Sequence, residues 1–418
     1  MSSPFAPNLP AAPRAAGSAA GPAGRTAPGR EVLVVGTGVV GLAAALGCAQ
    51  RGLAVTLVGP LPRPLPPAGQ WDARIYAISP AARALLAQLR VWPQVDAGRV
   101  APVRHMRIFG DRGAPLHFDA LASGASELAT ICEEAQLLQA LWLACSLCPG
   151  LRHIGRNVTA LHTQDPVQGP AAWLRLDDGS EIAGDLLLAA DGKRSPLRAA
   201  AGIGVRERPY GQSGVVANFT GARRHDQTAW QWFTPEGVVA LLPLPGERVS
   251  LVWSAPSALA TELMALPPEA LAARVDERTG GLLGPLQALG QAHAFPLDRL
   301  VIERLVQPGM ALLGDAAHAL HPLAGQGLNL GLQDVSELLR QFDAREPWRA
   351  LGDPVWLRRY ARARAEPLLL MGAAVDGLDA LFRAGGTPLA QVRNLGMRVL
   401  DRLAPVKHAL IRHAMGQG

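Results

Sequence analysis

The stretch EVLVVGTGVVGLAAALGCAQRGLAVTLVG, from Glu31 to Gly59, decides the fold. EVLVV is a short β-branched run, the Ala/Leu segment after Gly41 reads as a helix closed by Gly52, and AVTLV reads as a second strand, so the stretch is a βαβ unit. Gly36, Gly38 and Gly41 form GxGxxG directly between the first strand and the helix. In that setting backbone N–H groups and the positive end of the helix dipole can meet a pyrophosphate. A glycine turn without a ligand is the plainer alternative, and the strand and helix on either side argue against it. One position departs from the pattern. The second strand should end in an acidic residue that holds the adenosine ribose, and Gly59 stands there instead.

Outward from this unit, composition sets bounds. A chain of 418 residues with 49% hydrophobic content can bury a sizeable core in two or three structural units. No apolar run reaches the roughly 20 residues of a membrane span. The formal charge of +6 comes from arginines scattered among alanine and leucine, without a basic run interleaved with aromatics, so no nucleic-acid partner is expected. Between Val355 and Gly418 there are ten Arg/Lys and four Asp/Glu, an excess equal to the net charge of the whole chain, which favours an anionic surface as partner. Four cysteines suit a reducing compartment, and Cys145 and Cys148 lie in a helical context that points to packing. Residues 1–29 lack acidic residues and are rich in Ala, Pro and Gly, the composition of a disordered tail without a targeting helix. The location expected is cytoplasmic.

From Gly202 to Phe295 the pattern changes to VVANF, GVVALLPL and RVSLVWS, strands separated by turns such as PGE. The spans expected are a first nucleotide-binding part at 30–201, an inserted antiparallel sheet at 202–295, a second nucleotide-binding part at 296–350, and C-terminal helices at 351–418. The last span carries an apolar stripe from Val392 to Leu410, with Pro405 breaking it in two.

Two further motifs carry chemistry. GDLLLAADGKRSPLR ends a strand in Asp191 and Gly192, and alone it reads as a turn and helix cap. GDAAHALHPLAGQGLNLGLQD, Gly314 to Asp334, ends another strand in Gly-Asp and leads glycines into a helix. Asp315 can bond a polyhydroxylated chain, and N–H groups from Gly325 to Leu328 favour negative charge on a ligand. The spacing of His318 and His321 fits no metal pair at one helical turn, and no metal is expected.

GTGVVG, ADGKRSPLR and the Gly314 to Asp334 stretch together resemble the dinucleotide, DG and GD motifs of the group A FAD-dependent aromatic hydroxylases. DARIYAISPAA, ICEEAQLLQALW, YGQSGVVANF and GVVALLPL resemble the branch that hydroxylates the ring of polyprenylated ubiquinone precursors. The likeness runs from Glu31 nearly to the C-terminus. It implies an α/β fold like that of para-hydroxybenzoate hydroxylase: a Rossmann-like FAD-binding domain, an inserted antiparallel substrate sheet and a C-terminal helical segment. It further implies FAD, held by Gly36, Gly38, Gly41, Asp191, Gly314 and Asp315, with Arg74 and Glu133 near the cofactor. Pro322, Gly325, Gly327, Leu328 and Asn329 would border the isoalloxazine. Relatives commonly carry Glu-Asn or Glu-Asp, then Arg, where this chain has Glu134 and Ala135.

The reaction implied is transfer of one oxygen from a flavin C4a-hydroperoxide to a phenol ring, with NAD(P)H as donor. His318 or His321 is the candidate for substrate deprotonation; the alternative is that both only pack and bond around the flavin. The partners implied are a polyprenyl phenol, O2, a ubiquinone-biosynthesis complex, and the inner face of a membrane touched by the C-terminal helices. Other readings stay open: a non-catalytic complex member that binds flavin weakly, or a reductase or halogenase of the same fold. Trp230 and Trp232 in AWQWFTP nearly spell a halogenase motif, but alternating tryptophans on a strand also describe one packed face.

Overall fold

The computed structural model describes residues 31–383 apart from 111–114, 165–168, 235 and 320–325. Its centre is a six-stranded sheet ordered Val306–Gln307, Met310–Leu312, Leu186–Ala189, Glu31–Val35, Ala54–Val58, Leu151–Ile154. The five strands from Met310–Leu312 to Leu151–Ile154 run parallel. The inner strands read as nearly continuous apolar runs because both faces of the sheet are covered there, while the edge strand Leu151–Ile154, LRHI, is only partly buried. On one face Val32, Val34 and Leu57 pack under the helices Val39–Ala49, Glu134–Ser146 and Gln326–Asp343. On the other, Leu33, Leu187 and Ala189 pack against Leu174 and Leu176 of a three-stranded sheet. The six-stranded sheet draws strands from residues 31–189 and again from 306–312, so the segment between Ala200 and Val306 is an insertion between its strands.

That insertion builds a nine-stranded sheet whose longest members are Val205–Thr220, Arg248–Pro256 and His293–Ile302. It is wider than the span 202–295 expected for it. His105–Phe109 joins its edge in parallel with Thr228–Thr234, and Leu116–Asp119 follows. Their side chains are mostly half-buried, so little alternation marks them in the sequence.

Val215, Phe219, Trp230, Val239, Leu251 and Trp253 face the helices Ser257–Ala265 and Pro268–Arg278 and form a second core. Trp232 shares that face and stacks on Phe109 with ring centroids 5.2 Å apart. The tryptophan pair therefore belongs to a packed face of the inserted sheet. The opposite face meets the first domain, where Asn218 Nδ2 donates to the Asp72 carbonyl at 2.9 Å.

The helix Pro354–Arg383 begins in the main core through Trp356, Leu357 and Tyr360. Further along it reaches the inserted sheet, where Met371 packs on Phe233 and Asp376 accepts from Tyr210 Oη at 2.8 Å. The tail at 1–29, the stripe from Val392 to Leu410 and the break at Pro405 lie outside the described residues. Cys145 is buried in its helix and its thiol is pushed up to about 12 by burial, which suits packing and not redox chemistry.

Candidate active site

The glycine turn is built as its spacing requires. Gly36 has φ +114°, its N–H donates to the Val58 carbonyl at 2.9 Å, and a Cβ there would lie 2.1 Å from the Ala190 carbonyl oxygen. A side chain would break the approach of the first strand's end to the strand ending at Ala189. Gly41 allows the helix to descend onto the turn, since its Cβ would meet the Gly36 oxygen at 2.0 Å. Gly38, by contrast, faces open space. Beside it lies a groove of about 430 Å³ lined by Gly36, Thr37, Gly38, Gly59, Arg156 and Asp191 among others.

The DG motif is both turn and cap. Ser195 Oγ accepts from Arg198 N at 2.9 Å and Asp191 Oδ2 from Leu197 N at 3.1 Å. Burial pushes the Asp191 carboxyl up, against the bonds from Ser195 and Leu197 that pull it down. Arg198 then ties two motifs together: its guanidinium donates to the Lys193 carbonyl and to the Ala316 carbonyl, both at 2.9 Å. The loop carrying Asp191 and the loop carrying Asp315 are thus held as one wall.

Asp315 is solvent-exposed, yet protein surrounds it closely enough that desolvation raises its carboxyl pKa against the pull of His318, Lys193 and Arg74. That combination describes the floor of an open cleft. Gly314 lies against Val40 in the first turn of the glycine helix, so Asp315 and the glycine turn border the same region.

Behind the GD loop stands a buried buttress absent from the expected site. Asp334, fully buried, accepts from Gly314 N at 2.9 Å, His318 Nε2 at 2.7 Å and Arg364 Nε at 2.7 Å. Burial pushes its carboxyl up, but His318, Arg364 and these bonds hold it below the usual carboxylate range. His318, the candidate base, is therefore corrected to a buried support: its Nε2 is committed to Asp334. Asn329 is corrected likewise. It is buried, its Oδ1 accepts from Ser79 N at 2.9 Å and its Nδ2 donates to the Ala77 carbonyl at 2.8 Å, so it locks the Gln326–Asp343 helix to the strand ending at Ile78. Gly331 lets that helix lie on Val40, which its Cβ would meet at 2.6 Å. Gly327 faces open space, and His321, Pro322 and Gly325 lie outside the described residues. Asp334 ended the quoted motif and could have been suspected; Arg364 sits in an arginine-rich helix where nothing singles it out.

Arg74 and Glu133 part company. Arg74 is exposed and pairs with Glu134 at 3.2 Å, and Tyr76 Oη donates to the same carboxylate at 2.9 Å. Burial, then Glu134, hold the Tyr76 phenol well above its ordinary value. Glu133 is fully buried, bound by Arg99 through two contacts of 2.7 Å and by Asp72 N at 2.6 Å. Desolvation raises its carboxyl in spite of them. It is a strut beneath the cleft and not a cofactor contact, because every side of the carboxylate faces protein. Arg99 also lies over the Trp71 ring at 3.9 Å.

The glycine cradle open at Gly38, the groove beside it and the Asp315 floor fit a flavin dinucleotide, and the comparisons with known proteins agree. Residues 30–366 match the model of the FAD binding domain family. Ubiquinone hydroxylase UbiL of Rhodospirillum rubrum is 36% identical over 97% of this chain and 93% of its own length. The chain belongs to this family of FAD-binding hydroxylases. A second member, 3-demethoxyubiquinol 3-hydroxylase of Escherichia coli, is 37% identical over 92% of the chain and 98% of its own length. The fold of the family recurs in PqsL, a probable FAD-dependent monooxygenase from Pseudomonas aeruginosa, with a TM-score of 0.71 at 21% identity, over 88% of this chain and 99% of that one. As a member of the family the chain is an FAD-dependent aromatic monooxygenase. Among its described residues no group of three His, Cys, Asp or Glu could hold a metal ion.

Proposed function

We propose that this chain hydroxylates the aromatic ring of a polyprenylated phenol in ubiquinone biosynthesis, using O2 and a nicotinamide donor. The balance is one ring C–H, O2, NAD(P)H and a proton giving one ring C–O–H, NAD(P)⁺ and water. The observation that carries the reading is the dinucleotide cradle with the Asp315 loop beside it, together with an apolar strip on the inner face of the inserted sheet. Val238, Ala240, Leu242 and Val252 come from inner strands of the inserted sheet and alternate with residues of its outer core, yet they are only half-buried. An accessible apolar strip in the middle of a sheet suits an aromatic ring with a hydrocarbon tail.

FAD, when bound, supplies the oxygen chemistry. The chain's part is to bind, orient and exclude water. The backbone at Gly36, Gly38 and Gly41 would receive the pyrophosphate, Asp315 would accept hydrogen bonds from the ribityl hydroxyls, and Arg74 would add positive charge near Asp315. N–H groups at the start of the Gln326–Asp343 helix, near Gly327 and Leu328, favour negative charge on the reduced cofactor. His321, Pro322 and Gly325 lie outside the described residues, and their assignment to the isoalloxazine rests on the family resemblance alone. With His318 committed to Asp334, His321 is the histidine left for substrate deprotonation.

A polyprenyl substrate enters from a bilayer, and the basic C-terminal segment together with exposed Leu369 and Leu370 favours peripheral contact with the inner face of a membrane. No described helix is long and apolar enough to cross one. The location proposed is cytoplasmic. Flotation with anionic vesicles tests the contact, and protein left at the bottom of the gradient rejects it. Gly59 favours one second reading, a complex member that holds flavin too loosely for turnover. The two readings separate in one assay: FAD-supplemented protein should oxidise NAD(P)H faster when a prenylated phenol is added and convert that phenol, whereas an assembly protein does neither.

A further inference from the structure

The loss of the acidic residue at Gly59 is built into the backbone. Gly59 has φ +147°, and a Cβ would lie 3.2 Å from Thr37 Cγ2, so both conformation and space oppose a side chain. Two bonds brace the turn in that form: His153 Nε2 to the Gly59 carbonyl at 2.8 Å, and Thr37 Oγ1 to the Pro60 carbonyl at 2.6 Å. The groove beside it must hold an adenosine by other means.

Four polar side chains line that groove: Thr37, Arg156, Asn157 and Asp191. Three are engaged within the protein. Thr37 donates to Pro60, Asn157 Nδ2 donates to Asp177 Oδ2 at 3.0 Å, and Asp191 Oδ2 receives Leu197 N, while the buried Asp191 Oδ1 has no partner among the described residues and can accept only from a donor on the ligand. Arg156 differs. Half-exposed at the rim, it approaches Asp178 at 3.5 Å and Asp177 at 3.9 Å, both longer than an ordinary charge-assisted hydrogen bond, so its fork of donors retains capacity for a ligand.

We propose that Arg156 takes over recognition of the adenosine half of the dinucleotide, so that this end of the cleft is read by a cation where the usual pattern places a carboxylate. A guanidinium donates to ribose hydroxyl oxygens and lies favourably over a purine ring. Unlike a carboxylate, it also accepts a phosphate on the ribose 2′-oxygen. The ligand class is therefore adenine nucleotides with or without a 2′-phosphate, and not only the unmodified ribose.

The proposal rests on the reading of the groove as the adenosine end of the FAD site, and the test separates the two. Flavin-free protein is titrated with FAD and with FMN by quenching of flavin fluorescence. Failure of the wild-type protein to bind FAD at all would overturn the FAD site, and this proposal with it. Given binding, Arg156→Ala should weaken FAD by about tenfold or more and leave FMN, which lacks adenosine, unchanged. Arg156→Lys should fall between, and matched thermal unfolding of the three proteins shows that they share one fold. In competition with FAD, adenosine 2′,5′-bisphosphate should displace at least as well as adenosine 5′-monophosphate from the wild type and lose that parity in Arg156→Ala. Equal FAD affinity in wild type and variant, or equal losses for FAD and FMN, overturns the role of Arg156 alone. A wild-type preference for the monophosphate overturns the cationic reading of the ribose.

Discussion

Replacing Asp334 with alanine tests the most consequential contact behind the cleft. The carboxylate is fully buried and accepts three bonds, from Gly314 N, His318 Nε2 and Arg364 Nε. Its removal leaves a 4% exposed guanidinium without its counter-charge and a backbone N–H without an acceptor. Breaking a buried pair in this way costs about 3–5 kcal/mol. Asp334→Asn keeps the volume but only one acceptor oxygen, and it too leaves the Arg364 guanidinium without its counter-charge, so its loss should fall in the same range of about 3–5 kcal/mol.

Urea unfolding of the flavin-free protein at neutral pH measures both. Because the Gly314 N–H is held directly, both variants should also retain less FAD after gel filtration. The acid side gives an independent check. A carboxyl whose folded pKa lies below its unfolded value contributes stability above about pH 4 and loses it as pH falls through the lowered folded value. Wild type should therefore lose stability more steeply than Asp334→Asn below about pH 4. An Asp334→Ala loss under about 1 kcal/mol would refute the buttress, since a typical surface substitution costs no more than about half that.

Asp315→Asn should separate binding from stability: burial raises the Asp315 carboxyl, so its ionised form disfavours the folded flavin-free protein at neutral pH, and the amide should unfold at the same or a higher temperature while binding FAD more weakly. A lower Tm with unchanged FAD affinity would reverse that assignment. Gly36→Ala should abolish flavin binding and destabilise the fold, because its Cβ would lie 2.1 Å from the Ala190 oxygen; recovery of a normal FAD spectrum from this variant would contradict the close approach. Glu133→Ala should cost about 3–5 kcal/mol through the orphaned Arg99 and be seen in urea unfolding, whereas a cofactor contact would instead show as lost FAD affinity at unchanged stability.

The sequence made the parallel sheet legible because buried parallel strands leave unbroken apolar runs, as in EVLVV and GDLLLAA, and because a glycine turn cannot be spelled otherwise at φ +114°. It also showed Gly314 and Asp315 as one motif. It did not show what the polar residues beside them do. His318 and Asn329 look the same in a string whether they meet a ligand or bind Asp334 and Ser79, since the partners lie as far away as 250 residues along the chain. The pairing of Glu133 is hidden for the same reason: its partner Arg99 comes from a segment with no motif. The two edge strands at 105–119 were missed because short, half-buried strands alternate too weakly to stand out.

The most direct test of the central claim is the fate of molecular oxygen. FAD-loaded protein, a prenylated phenol and NAD(P)H should be incubated under isotopically heavy O2 and the product weighed by mass spectrometry. The account predicts a phenol heavier by one labelled oxygen atom, bonded to a ring carbon. An unchanged phenol, or a hydroxylated one whose new oxygen comes from water, would contradict it.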